Sequence, residues 1–130
     1  MNPTILIVDD SAVTRMLIKR AIQMADFPLA TLLEAGNGRE AMARLAEQPV
    51  HLVLADLHMP EMGGAELIAQ MQQDPRGRGI PVVIISAEPS IARIDELCHL
   101  GARGYLRKPF TPESLRSTLL PLLESQHVHS

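Results

Sequence analysis

Three aspartates, a serine and a lysine stand where apolar runs of this 130-residue chain stop. Thr4-Ile5-Leu6-Ile7-Val8 ends in Asp9-Asp10, and His51-Leu52-Val53-Leu54-Ala55 ends in Asp56. Ile80-Pro81-Val82-Val83-Ile84-Ile85 ends in Ser86, and the short Tyr105-Leu106-Arg107 ends in Lys108. Carboxylates gathered in one crevice repel each other, at a cost that only protons or a cation relieve. A hard divalent ion is the economical answer. Mg²⁺ takes oxygen ligands and keeps several waters, so an incomplete protein shell suits it. Asp10 and Asp56 are the expected direct ligands, with Asp9 acting through water. A lysine and a hydroxyl beside such an ion match a phosphoryl group, whose transfer asks for positioning and charge neutralisation. Aspartate is itself a nucleophile for phosphate, and an ionised carboxylate needs no base.

Bringing those residues together requires that the runs be strands of one sheet. They are continuous rather than alternating, as in strands buried on both faces. Between them lie segments with helical spacing. Ser11 can cap the first, in which Val13, Leu17, Ala21 and Met24 make an apolar stripe and Arg15, Lys19 and Arg20 are left to solvent. Phe27-Pro28 ends it, and Ala30 to Glu34 reads as a weaker strand. After the turn Gly36-Asn37-Gly38, a helix from about Arg39 to Gln48 turns Ala41, Met42, Leu45 and Ala46 inward. Gly63-Gly64 precedes a third helix with Leu67, Ile68 and Met71 inward, and Asp74 to Gly79 is a flexible basic loop. A fourth carries Ile91, Ile94, Leu97 and Cys98, with Gly101 as a left-handed stop. Thr111 caps the last helix, Pro112 sits at its first turn, and Leu115, Leu119, Leu122 and Leu123 form its stripe. Pro121 should kink or fray that helix. Strand and helix alternate five times, which predicts an α/β fold: a doubly wound five-stranded parallel sheet with right-handed crossovers and five helices. Five strands suit the flavodoxin-like order 2-1-3-4-5, in which ligands bind at the carboxyl ends of the strands.

Composition removes other classes. With 46% hydrophobic residues the chain buries a core of its own. A formal charge of −3 and 2% aromatics leave no basic footprint and no stacking platform for nucleic acid. No apolar run reaches the ~20 residues that span a bilayer. Met1-Asn2-Pro3-Thr4 lacks the features of a signal peptide, and the lone Cys98 fits a reducing compartment, so a cytoplasmic location is expected. The five histidines show no metal spacing, and His127 and His129 are weak candidates.

The chain resembles the receiver domains of two-component response regulators, and within them the single-domain, CheY-like chemotaxis type. The resemblance is carried by Ile7-Val8-Asp9-Asp10-Ser11, Asp56-Leu57-His58-Met59-Pro60 with Gly64, Ser86-Ala87, and Tyr105-Leu106-Arg107-Lys108-Pro109-Phe110. It implies that residues 1–124 are the receiver, followed by a short disordered tail, 125–130. It implies that Asp56 is the phosphoacceptor, that Asp9 and Asp10 are the acidic metal pair for Mg²⁺, and that the His58 backbone carbonyl is a further ligand. Lys108 would contact the phosphoryl group, Ser86 and Tyr105 would form the switch pair, and the Lys108-Pro109 peptide would be cis. The chain departs from the family in having Ser86 where Thr is more frequent, and Gly63 where an acid is, which predicts a more mobile loop. By the resemblance, His58 and Glu88 occupy positions that in the family tune phosphoryl lifetime. The implied partners are a sensor histidine kinase or histidine phosphotransfer protein and a downstream protein target contacted by the helix 4, strand 5 and helix 5 surface. Arg93, Arg103 and Arg107 are candidates for such a surface. The state would be a monomer or a phosphorylation-dependent dimer, and the only catalysis that of its own phosphorylation and dephosphorylation. A scaffold that keeps the site but signals without phosphate is compatible with the same residues, whereas two other rivals are weaker. An aspartyl phosphohydrolase of the haloacid-dehalogenase type would carry a second Asp at position 58, and a flavodoxin-like cofactor binder would need a phosphate loop where Asp9-Asp10 stands.

Overall fold

A computed structural model describes residues 3–25, 30–87 and 91–128, and the side chains of these apart from 91 and 125–128. Ten elements alternate: β1 (Thr4–Val8), α1 (Ala12–Met24), β2 (Thr31–Ala35), α2 (Gly38–Glu47), β3 (Leu52–Asp56), α3 (Gly64–Gln73), β4 (Val82–Ser86), α4 (Ile91–Leu100), β5 (Gly104–Arg107) and α5 (Pro112–Val128). The strands form one parallel sheet in the order β2-β1-β3-β4-β5, as expected. Pairing is in register from end to end, with Val8 opposite Ala55, Asp56 opposite Ile85 and Ser86 opposite Arg107. That register sets the carboxyl ends of β1, β3 and β4 level with one another. Glu88 and Phe27-Pro28 lie outside the described residues.

Alternate residues of each strand feed two cores. Leu6, Val8, Val53, Ala55, Val82 and Ile84 pack under α2, α3 and α4 with Ala41, Leu45, Leu67, Ile68, Met71 and Leu97. Ile5, Ile7, Leu52, Leu54, Val83, Ile85 and Leu106 pack under α1 and α5 with Ile18, Ile22, Leu115 and Leu119. Both faces of every central strand are therefore dry, which is why the runs are continuous.

Caps fall where the sequence placed them. Ser11 Oγ accepts from Thr14 N at 3.2 Å. Thr111 Oγ1 accepts from Ser114 N while Ser114 Oγ accepts from Thr111 N, both at 3.0 Å, a reciprocal cap. Gly101 ends α4 at φ +126°, with its N–H on Cys98 O and that of Ala102 on Leu97 O, so the last carbonyls are satisfied.

Several faces differ from expectation. In α1, Val13, Leu17 and Met24 are 51–67% exposed; of the expected stripe only Ala21 is buried, and the helix docks through it with Ile18 and Ile22. Arg15 and Lys19 are not left to solvent but flank that buried arc and grip Glu34 of β2 at 2.9 and 2.8 Å. Ala46 and Cys98 also face out, while Ile94 is half-buried. The Asp74–Gly79 segment is a folded turn, with Gly77 N and Arg78 N on Asp74 O at 2.9 and 2.8 Å and Gly77 buried against Met71. α5 continues through Pro121 to Val128, so 125–128 are helical rather than tail. Pro121 is exposed, which leaves the carbonyl it cannot bond open to hydration.

Candidate functional site

The carboxyl edge of the sheet brings Asp9, Asp10, Asp56, Ser86 and Lys108 to one place. Ligand oxygens of Asp9, Asp10 and Asp56 all lie within 4.8 Å of one another. Lys108 Nζ stands 3.5 Å from both Asp9 Oδ2 and Asp56 Oδ1. One ammonium between three carboxylates leaves the pocket with excess negative charge. Asp9 is 2% exposed, Asp56 is half-buried and Asp10 is open to solvent.

Each side chain has a local reason for its place. Asp9 N donates to Ala35 O at 3.1 Å, extending the β1–β2 ladder by one bond beyond the strand. Its Oδ1 then accepts from Ser11 N at 2.9 Å, turning the chain into α1. Asp56 closes β3 and still pairs with β4. Lys108 N donates to Ser86 O at 3.0 Å, continuing the β4–β5 ladder, and the Lys108-Pro109 peptide is cis. Ser86 is buried at the end of β4, and the Tyr105 hydroxyl donates to its carbonyl at 3.2 Å. His58 is exposed in the loop directly after Asp56.

Burial pushes the Asp56 carboxyl above its usual range, the Lys108 charge draws it back, and the Asp9 charge pushes it up again. Among the described residues, Asp9 Oδ2 is the one buried side-chain polar atom without a hydrogen bond, its ion-pair partner being Lys108 Nζ at 3.5 Å. An orphaned carboxylate oxygen facing two further carboxylates is a donor set that fits a hard divalent cation.

Sequence reasoning missed Arg15. Its Nη1 donates to the Asp9 backbone carbonyl at 2.6 Å while its Nε holds Glu34, so a guanidinium braces the acidic pair from α1. The i, i+4 spacing of Arg15 and Lys19 puts both on one helix face, but their acid lies 19 residues from Arg15 on another strand, where no local pattern pairs them. Of the other arginines, Arg103 and Arg107 are exposed, and Arg93 pairs with Glu96 at 2.8 Å.

Residues 5–120 match the model of the response regulator receiver domain. The chain belongs to that family. The receiver is 33% identical over 115 residues to a probable chemotaxis protein CheY of Rhizobium etli, covering 88% of each chain. It is 36% identical over 120 residues to chemotaxis protein CheY of Thermotoga maritima, covering 92% of this chain and 96% of that one. The structure of Vibrio cholerae CheY4 superposes with a TM-score of 0.85 at 30% identity, over 95% of this receiver and all of that chain. The receiver thus has the CheY-like fold and the role of a phosphorelay receiver in two-component signalling. Among the described residues no helix is long and apolar enough to cross a membrane.

Proposed function

We propose that this receiver takes a phosphoryl group on Asp56 from the phosphohistidine of a sensor histidine kinase or phosphotransfer protein. The observation that carries the reading is the placement of Lys108 Nζ 3.5 Å from Asp56 Oδ1, with Asp9 and Asp10 within reach of the same point. An Asp56 Oδ atom attacks phosphorus, the bond to the histidine nitrogen breaks, and the donor imidazole leaves with the electron pair. Lys108 neutralises charge on the equatorial oxygens, and Ser86 offers a hydroxyl to one of them. Asp9, Asp10, Asp56 and the His58 backbone carbonyl would hold Mg²⁺, which when bound offsets the carboxylate charge and that of the incoming phosphate. Water attack on the acyl phosphate returns the resting state, so the chain catalyses nothing beyond its own phosphorylation and dephosphorylation.

The new dianion draws Ser86 inward, and Tyr105, bonded to the Ser86 carbonyl, follows. The output is a changed α4-β5-α5 surface, read by a downstream protein as a difference in affinity between two states. Residues 1–124 suffice as the receiver unit in this reading, working in the cytoplasm as a monomer or phosphorylation-dependent dimer. Incubation with acetyl phosphate and Mg²⁺ tests it. One phosphoryl mass should appear, and should be absent from Asp56→Asn and in EDTA; labelling that survives in Asp56→Asn would refute the assignment.

A further inference from the structure

The loop Leu57–Gly63 runs on from Asp56 and carries the His58 carbonyl, so its path sets the mouth of the pocket. Gly63 gives α3 no side-chain cap, which on its own would leave this loop loose, as the sequence suggested. Instead the loop is pinned from outside. Asn37 Nδ2 donates to Glu61 Oε2 at 3.0 Å, and Gly38 N donates to Met62 O at 3.0 Å. Gly38 is buried, and a Cβ there would lie 2.6 Å from Met62 Cγ, so bare backbone is what lets the two segments touch. The same Asn37 caps α2, its Oδ1 accepting from Glu40 N at 2.9 Å. Both polar ends of one amide are in use.

Glu61 supplies the second observation. Its φ is +66°, a left-handed conformation that a residue with a Cβ seldom adopts. Such backbone persists where its surroundings impose it. Here the surroundings are Asn37 on its side chain and Gly38 on the next carbonyl.

We propose that Asn37 is a positioning residue for the phosphoacceptor pocket: by holding Glu61 it fixes the path of Leu57–Gly63 and so tunes how tightly the pocket takes Mg²⁺. Only the last step rests on the proposed function; the clamp itself does not.

The test uses the full chain and four variants. Asn37→Ser keeps a capping oxygen but is too short to reach Glu61 as well. Asn37→Asp keeps the cap and sets a carboxylate against Glu61. Asn37→Asp with Glu61→Gln restores one donor facing one acceptor, with the polarity reversed and the net charge of the parent. Glu61→Gln alone retains an acceptor and should match the parent. Amide hydrogen exchange at Glu61–Gly63 should rise about three- to tenfold in both single Asn37 variants, the range a net hydrogen bond spans. It should return to within about twofold of the parent in the double variant. Exchange within α2, at 41–47, should not change. Mg²⁺ affinity by calorimetry should fall about tenfold in Asn37→Ser, the lower end of what losing a residue that orients a metal ligand costs. Parent-like exchange in Asn37→Ser, no rescue in the double variant, or equal acceleration along α2 would each overturn the clamp. An intact clamp with no Mg²⁺ binding in any variant would overturn the proposed function instead.

Discussion

Burial holds the Asp56 carboxyl above its ordinary range, and that displacement has a sign for stability. The unfolded chain releases the Asp56 proton near the ordinary value of 3.8, while the folded chain keeps it to higher pH. Folding stability is therefore fully present below that value and declines as pH rises through the folded one. At pH 7 in EDTA the ionised group is a liability. Asp56→Asn should raise Tm by roughly 3–6 °C, the shift that about 1 kcal/mol makes in a domain of this size. The gain should vanish near pH 3, where parent and variant are both uncharged at this position. Added Mg²⁺ should narrow the gap by stabilising the parent through binding. Thermal melts at the two pH values, with and without Mg²⁺, check all three. Glu34 has the opposite sign. Hydrogen bonds from Lys19 and then Arg15 hold its carboxyl below the usual range, so its contribution is present at neutral pH and lost as acid protonates it.

At the scale of the element, α1 is apolar on two arcs. Ile18, Ala21, Ile22 and Ala25 are buried, while Val13, Met16, Leu17 and Met24 face out. Both sets satisfy three- and four-residue spacing, so periodicity alone could not choose between them, and of the stripe read from sequence only Ala21 faces the sheet. What chooses is three-dimensional: Arg15 and Lys19 reach Glu34 only when the Ile18 arc faces the sheet. Urea denaturation should show Ile18→Ala losing about 2–5 kcal/mol, as for a filled core site. Leu17→Lys should stay within about 0.5 kcal/mol of the parent. Elsewhere the sequence was legible because the signals were local and chemical. Ser11, Thr111 and Gly101 mark helix ends by what their own atoms can bond or what φ they can adopt, and the strands announce themselves by dryness on both faces. The pocket was legible because Asp9, Asp10, Asp56, Ser86 and Lys108 stand at or just past the carboxyl end of a strand, and parallel register aligns those ends. Arg15, Asn37 and Glu61 were not, since their roles depend on partners 19 or 24 residues away that no local pattern pairs. The length of α5 was missed for a related reason: Pro121 forbids one donor, yet the helix lies with that position exposed and loses little by it.

At the scale of the whole molecule, the sheet separates two cores and ends in one charged edge, so a change at that edge has to leave through the strand ends. The Ser86 carbonyl is such an exit, receiving both the Lys108 N–H and the Tyr105 hydroxyl. Mg²⁺ with beryllofluoride should therefore disturb Tyr105 in the parent, and an unaltered Tyr105 environment on binding would count against the coupling. The sequence makes that measurement unusually clean, for the chain has one tyrosine and no tryptophan. Excited to the red of phenylalanine absorption, the chain emits only from the phenol that leans on the acceptor edge. The protein carries its own optical reporter, and it needs no label to be watched at work.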